Sequence, residues 1–302
     1  MQSPIPARRA VRSLVLVTAL AAVAVACTPA SPSGSTLPAA TSTTTVVATT
    51  QPNPPGCTGT DAPFGSSDLV SAFGRDVGDA AVVAAIDWTV ADGCERFRIG
   101  FRTLSGAPAS TIGAAGVSIV PSSGIVRVTL PEEVRASAIA DTLADTDLVD
   151  RIYVVRSTDQ RLTIEFHLAP VTVVEARGFV SASPAEIVVD LRPGANRAVI
   201  LSRPRSSGGV VLTSPPPGPN LYPLRVAGYA APGSAAVRVR ISDPDGTLDL
   251  DRSVATAAGG DAWEAFDVAL SDGPGGMVEL FVGAIDALGL SSEGVTVDLD
   301  LP

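Results

Sequence analysis

Apolar residues recur at every second position in one run of this chain after another. Phe97, Ile99 and Phe101 alternate with Arg96, Arg98, Gly100 and Arg102. Ile125-Val126-Arg127-Val128-Thr129-Leu130 follows. Leu162, Ile164, Phe166 and Leu168 then alternate with Arg161, Thr163, Glu165 and His167, and Val171 to Ala176 and Ile187 to Leu191 continue the series. A period of two places one set of side chains on one face of an extended strand, so these runs read as half-buried strands. One segment breaks the pattern. Pro131 to Asp150 reads as a helix, with Pro131 at its first position and Glu132 and Glu133 in the first turn, where the helix dipole favours them. Ala136, Ile139 and Leu143 then line one face.

A second series begins after residue 208. Leu224 to Ala230, Ala236 to Ile241, Trp263 to Val268, Val278 to Val282 and Val295 to Leu299 are short strand-like runs. Asp243-Pro244-Asp245-Gly246 between them is a turn, Pro fixing φ and Gly supplying positive φ. Short strands separated by turn signals argue for an immunoglobulin-type sandwich. The expected fold is mainly β: a β-rich sandwich-type domain with one helix over 57–200, and an immunoglobulin-like sandwich over 208–302. From Cys57 onward about 245 residues remain, enough for two domains of ordinary size.

The start of the chain speaks to its address. Arg8, Arg9 and Arg12 precede an apolar stretch from Ser13 to Ala26. At ~1.5 Å per helical residue that stretch spans about 21 Å, short of the ~30 Å hydrocarbon core, so 1–26 reads as a signal peptide. Ala24-Val25-Ala26 fits ordinary signal cleavage. Ala24-Val25-Ala26-Cys27 also resembles a bacterial lipobox, in which Cys27 takes a diacylglycerol and becomes the mature N-terminus. The chain has three cysteines, Cys27, Cys57 and Cys94. Lipidation of Cys27 leaves two, which an exported domain can pair as a disulfide. A zinc pair is the alternative for Cys57 and Cys94, though with no nearby His. Residues 27–56 are dominated by Thr, Ser, Pro and Ala, with no charged residue, and read as a disordered tether. As a flexible coil it would reach about 30 Å.

Charge narrows the partners. The net charge is −10, and acids outnumber arginines in both halves of the folded region, so a nucleic-acid backbone is not an expected partner. All 21 basic residues are Arg. Without Lys the chain can hold no phosphate-cradling Walker lysine and form no Schiff base. The Ala, Val, Arg, Gly and Asp bias points to a high-GC genome, such as that of an actinobacterium.

Two resemblances follow from these residues. The strand pair Arg161 to Leu168 and Ala185-Glu186-Ile187-Val188-Val189-Asp190-Leu191-Arg192-Pro193-Gly194 resembles the AMIN or AMIN-like domain, which implies a β-sandwich that localises envelope proteins, often by contacting peptidoglycan. The order Ser214-Pro215-Pro216-Pro217-Gly218, Val226-Ala227-Gly228-Tyr229-Ala230, Asp243-Pro244-Asp245-Gly246, Trp263 to Phe266 and Val278-Glu279-Leu280-Phe281 resembles the immunoglobulin-like domain of bacterial spore-germination proteins. That family implies an accessory module with no catalytic residues.

Few side chains carry candidate chemistry. His167 is the only histidine and shares its strand face with Thr163 and Glu165. No Gly-x-Ser-x-Gly elbow supplies a nucleophile for it, and it reads as a surface residue. Asp243, Asp245, Asp249 and Asp251 lack the spacing of a calcium loop and read as a turn and a solvated edge. No cofactor and no metal site is expected. Arg96, Arg98, Arg102, Arg151, Arg156 and Arg161 are the candidate ligand-binding set, a basic face able to grip carboxylates or phosphates in bidentate fashion. The leading expectation is a non-catalytic lipoprotein on the outer face of the membrane that binds peptidoglycan, another wall polymer or an envelope protein. A carboxylate-dependent hydrolase and a structural spacer are the alternatives.

Overall fold

The computed structural model describes residues 57–302 apart from 59, 67, 92, 170–172, 195–202, 258–259, 287 and 290. The signal segment, Cys27 and the tether lie outside the described residues.

The first half carries eleven strands: β1 (Ser71–Phe73), β2 (Val82–Ala91), β3 (Cys94–Arg102), β4 (Ala115–Val120), β5 (Ile125–Thr129), β6 (Ala136–Ser137), β7 (Asp141–Leu143), β8 (Val149–Arg156), β9 (Leu162–Leu168), β10 (Val174–Ser181) and β11 (Glu186–Pro193). The second half carries nine: β12 (Arg205–Ser207), β13 (Val210–Ser214), β14 (Gly218–Pro219), β15 (Leu224–Ala230), β16 (Ala236–Ser242), β17 (Leu248–Ala255), β18 (Trp263–Leu270), β19 (Gly276–Ile285) and β20 (Ser291–Leu301).

Three sheets result. One runs β10-β11-β3-β2-β6, and one runs β14-β20-β19-β16-β17. The third has ten strands and belongs to both halves, in the order β1-β4-β5-β9-β8-β18-β15-β13-β12, with β7 beside β8. Each five-stranded sheet packs on its own end of the shared sheet. Two cores follow from this layering. Phe97, Ile99, Val126, Ile164, Phe166 and Ile187 are among the residues that fill the first. Val226, Val239, Phe266, Leu280 and Val297 are among those that fill the second. The mainly β, sandwich-type expectation is met, and the alternation that signalled it is kept: Phe97, Ile99 and Phe101 are all buried.

The helix expected over Pro131 to Asp150 does not form, and the described residues contain no α-helix. One helix-like bond survives, from Val134 N to Pro131 O at 3.1 Å. After it the backbone leaves to pair elsewhere. Arg135 N and Ala138 N donate to Ala81 O and Val83 O at 3.0 and 2.9 Å, which seats β6 parallel to β2. Asp141 to Leu143 then pair with β8. Local polar side chains favour this path, as short hydroxyls compete with helical bonds. Ser137 Oγ donates to Ile139 O at 2.5 Å, and Thr146 Oγ1 to Val149 O at 3.1 Å. Asp145 turns at φ +48°, and Leu143 of the expected apolar face is exposed. The strand expected to start at Val171 is described from Val174 and continues to Ser181.

Candidate functional site

The six candidate arginines do not share a face. Arg96, Arg98 and Arg102 lie on β3, in a five-stranded sheet, whereas Arg151 and Arg156 lie on β8 in the shared sheet and Arg161 just precedes β9. Five of them sit against carboxylates. Arg96 Nε donates to Asp190 Oδ1 at 2.7 Å, and Arg156 Nη2 to Asp261 Oδ1 at 2.6 Å. Arg98 lies 3.7 Å from Glu186 and Arg151 3.6 Å from Asp141. Arg161 pairs with Glu132 and lies 3.8 Å from Asp159. Arg102 is exposed. A strand pattern shows which residues point outward but not which acid stands on the next strand, so an alternating Arg run looks basic when its neighbours have already neutralised it.

Arg96 instead belongs to a clasp on the incoming chain. Cys57 and Cys94 are paired as a disulfide with Cα atoms 5.8 Å apart. Beside it Asp190, fully buried, accepts from Arg96 Nε and Nη2 at 2.7 and 2.8 Å and from Arg177 Nε at 2.9 Å. The two guanidiniums spend their other N–H groups on backbone carbonyls of the arriving segment. Arg96 reaches Thr58 O at 3.0 Å, and Arg177 reaches Ala62 O at 3.1 Å and Cys57 O. Phe64 lies against Arg177 and Arg192 at 4.5 and 4.1 Å. The held segment then bridges Gly65 to Ala176 on β10.

His167 is buried rather than on the surface. It stands where the two halves meet, in a cluster of Tyr153, Val155, Val211, Tyr229 and Trp263. Its Nε2 is hydrogen-bonded to the Tyr229 hydroxyl, and its ring lies 4.6 Å from that of Tyr153. Burial first, and the Arg151 charge second, hold its pKa down to about 3, so the ring is neutral. Burial likewise pushes the Tyr229 phenol well above its usual range, with Glu165 adding to the effect. Glu165 accepts from Arg127 Nε at 2.8 Å, and its Oε2 is buried with no hydrogen-bond partner among the described residues. Three further bonds close the seam. Trp263 Nε1 donates to Asp141 Oδ2 at 2.9 Å, Arg156 reaches Asp261, and Ser137 N donates to Asp261 Oδ2 at 3.0 Å. Strand β18 pairs with β8 over two residues, Trp263 opposite Val155 and Glu264 opposite Arg156.

Two solvent-facing hollows lie beside β1, both formed by the loops around residues 74–76 and 110–116. One, of about 300 Å³, is lined by Arg75, Ser110, Thr111 and Ser181 among others. The other, of about 410 Å³, is lined by Leu69, Asp76, Leu130, Glu132, Glu133 and Arg161 among others. Two carboxylates fix these loops. Asp79 accepts from Thr111 N and Ser110 N at 2.8 and 3.0 Å and from both hydroxyls, which lowers its pKa to about 2. Glu133 Oε1 accepts from Gly78 N at 2.8 Å and lies so close to Gly113 that a Cβ there would fall 1.9 Å from it. The first strand pattern gave no hint of these loops, because what builds them is side-chain to backbone bonding between segments more than thirty residues apart.

Of the four aspartates between 243 and 251, two are tied down locally. Asp243 Oδ1 accepts from Thr247 N at 2.7 Å in the expected turn, where Gly246 has φ +83°. Asp251 is held by Arg238. No group of three His, Cys, Asp or Glu able to hold a metal ion occurs among the described residues. No known protein family, curated protein or solved structure matches this chain.

Proposed function

We propose that the chain is a non-catalytic cell-envelope lipoprotein, anchored by lipid on Cys27 at the outer face of the membrane, whose β-body binds an envelope partner. The lipobox-like Ala24-Val25-Ala26-Cys27, the uncharged tether and the clasp on the incoming chain all suit a body held at the end of a leash. The observation that carries the non-catalytic reading is where the reactive side chains sit. The single His is walled into the seam, and the buried acids Glu95, Glu165, Asp190 and Glu264 each accept from a packing partner: Thr146, Arg127, Arg96 and Thr256.

The open hollows favour a peptide or protein partner over bare glycan. Sugar rings stack on exposed aromatic faces, yet Tyr153, Tyr229 and Trp263 pack against one another and the Tyr222 hydroxyl donates to Pro274 O at 3.0 Å. The acid-lined hollow offers Asp76 to a cationic group instead. Asp76, Glu132 and Glu133 are also what a carboxylate hydrolase would need. Against that rival, Glu132 is paired with Arg161 and Glu133 with the Gly78 amide.

The test places a photocrosslinking residue at Asp76 in the full chain in cells and assays retention of the mature chain on purified wall sacculi. A discrete crosslinked envelope protein, or retention on sacculi at moderate salt, supports the reading. Neither result, or turnover of a wall substrate that Asp76→Asn abolishes, overturns it.

A further inference from the structure

The two halves keep separate cores and meet through a small patch whose centre is His167. Its surroundings hold as many arginines as carboxylates, with no acid left over for a further cation. Arg151 and Tyr153 face it from β8, Glu165 flanks it on β9, Arg127 stands on β5 bonded to Glu165, and Tyr229 reaches it from β15. Trp263 on β18 and Ser206 on β12 complete the cage around Tyr153. Asp141 on β7 lies 3.6 Å from Arg151 and accepts from Trp263, so each of the two carboxylates at hand, Glu165 and Asp141, is already matched by a guanidinium. A neutral imidazole fits there, with one hydrogen bond across the seam. An imidazolium would be a third cation against two carboxylates, in a residue only 9 % exposed.

We propose that the seam is an acid-released joint, in which protonation of His167 detaches the second half from the first while each half keeps its own fold. The construction suits release at this point. The bridge between the halves is two paired residues of β8 and β18, five clustered side chains and a few polar bonds, whereas each half has a complete two-layer core behind it. In the released state the ring meets water and titrates near its ordinary value of 6.5; in the closed state it stays neutral down to about 3. The folded value is depressed for a base, so acid favours release. The closed state is weakened about tenfold for each pH unit below 6.5, levelling off near 3, and by about a hundredfold at pH 4.5.

Native-state hydrogen exchange of the full chain reads this equilibrium directly. Amides of the seam, at the start of β18 and in β15 around Tyr229, are followed between pH 6.5 and 4.5 after correction for the intrinsic rate. Amides of β3 in the first core and β19 in the second serve as the internal reference. The expected result is a fall in seam protection of about tenfold per pH unit with the reference amides unmoved, and no such slope in His167→Gln. Tyr229→Phe is the second variant, because it leaves the imidazole buried: seam protection should start lower and keep the slope. A flat seam in the native chain overturns the proposal. So does an equal slope in His167→Gln, or reference amides that fall together with the seam.

Discussion

Asp190 shows how a single side chain ties the arriving chain to the folded body. Its carboxylate is fully buried on β11 and is bound by Arg96 from β3 and Arg177 from β10, the two strands on either side of it. A lone carboxylate at that depth would be costly, and two forked guanidiniums make it tolerable. Their outward N–H groups hold carbonyls between Cys57 and Ala62, next to a disulfide whose loop closure contributes about 4 kcal/mol in the chain-entropy account. Asp190→Asn removes the charge that both arginines answer. It should cost about 3–5 kcal/mol, the usual effect of breaking a buried pair, and appear as a lower urea midpoint with the cooperativity unchanged. An unchanged midpoint would mean that the disulfide alone holds this segment. The sequence shows Asp190 as the one acid in Val-Val-Asp-Leu, on the strand face opposite Ile187, Val189 and Leu191. It does not show Arg96 and Arg177, because register between strands decides which residues meet, and register is not a local property.

At the scale of elements, β17 is an eight-residue strand at an uncovered sheet edge, paired only with β16. Such an edge is a template for unwanted pairing. The strand carries its own defence. Leu250 and Val254 point to the core side and are half-buried, but Arg252 between them, opposite Val239, is exposed in the same phase. A charge in the inward phase keeps a neighbouring strand from completing the sandwich. Arg252→Val should therefore give concentration-dependent association in sedimentation velocity where the native chain stays dispersed; equal sedimentation of the two would refute this role. Elements of this kind were legible when they alternate cleanly, as Phe97, Ile99 and Phe101 do. Two kinds were not. Pro131 to Asp150 has a helix-like start, but the edges of β2 and β8 offer its amides better partners than its own carbonyls do. The second is β9, whose alternation marks it as a strand but leaves its polar face looking solvent-facing. Glu165 and His167 are buried because the second half covers that face, and nothing within the strand announces a covering some sixty residues downstream.

The described body is two sandwiches sharing a sheet, and its mechanics depend on how firmly the shared part is stitched. Trp263 is the central stitch. Its ring packs edge-on against Tyr153 at 5.0 Å and Tyr229 at 6.2 Å, its Nε1 donates to Asp141, and its backbone opens the two-residue pairing with β8. Its neighbour Ala262 is counted in the first core, although it belongs to the second half of the chain. Truncating a buried Trp costs about 3–5 kcal/mol where the surroundings cannot collapse. Here the loss falls on the coupling between two cores rather than on either core, since neither set of core residues includes Trp263. Coupling is what makes two sandwiches melt as one. Trp263→Ala should accordingly split a single calorimetric transition into two, each half unfolding near its own intrinsic temperature, with the transitions moving apart further under destabilising conditions. A single transition displaced to lower temperature would instead show that the halves cannot stand separately and that the seam is part of a common core. The same outcome would bear on the histidine, because a joint can open under acid only if the two bodies it joins remain folded once apart.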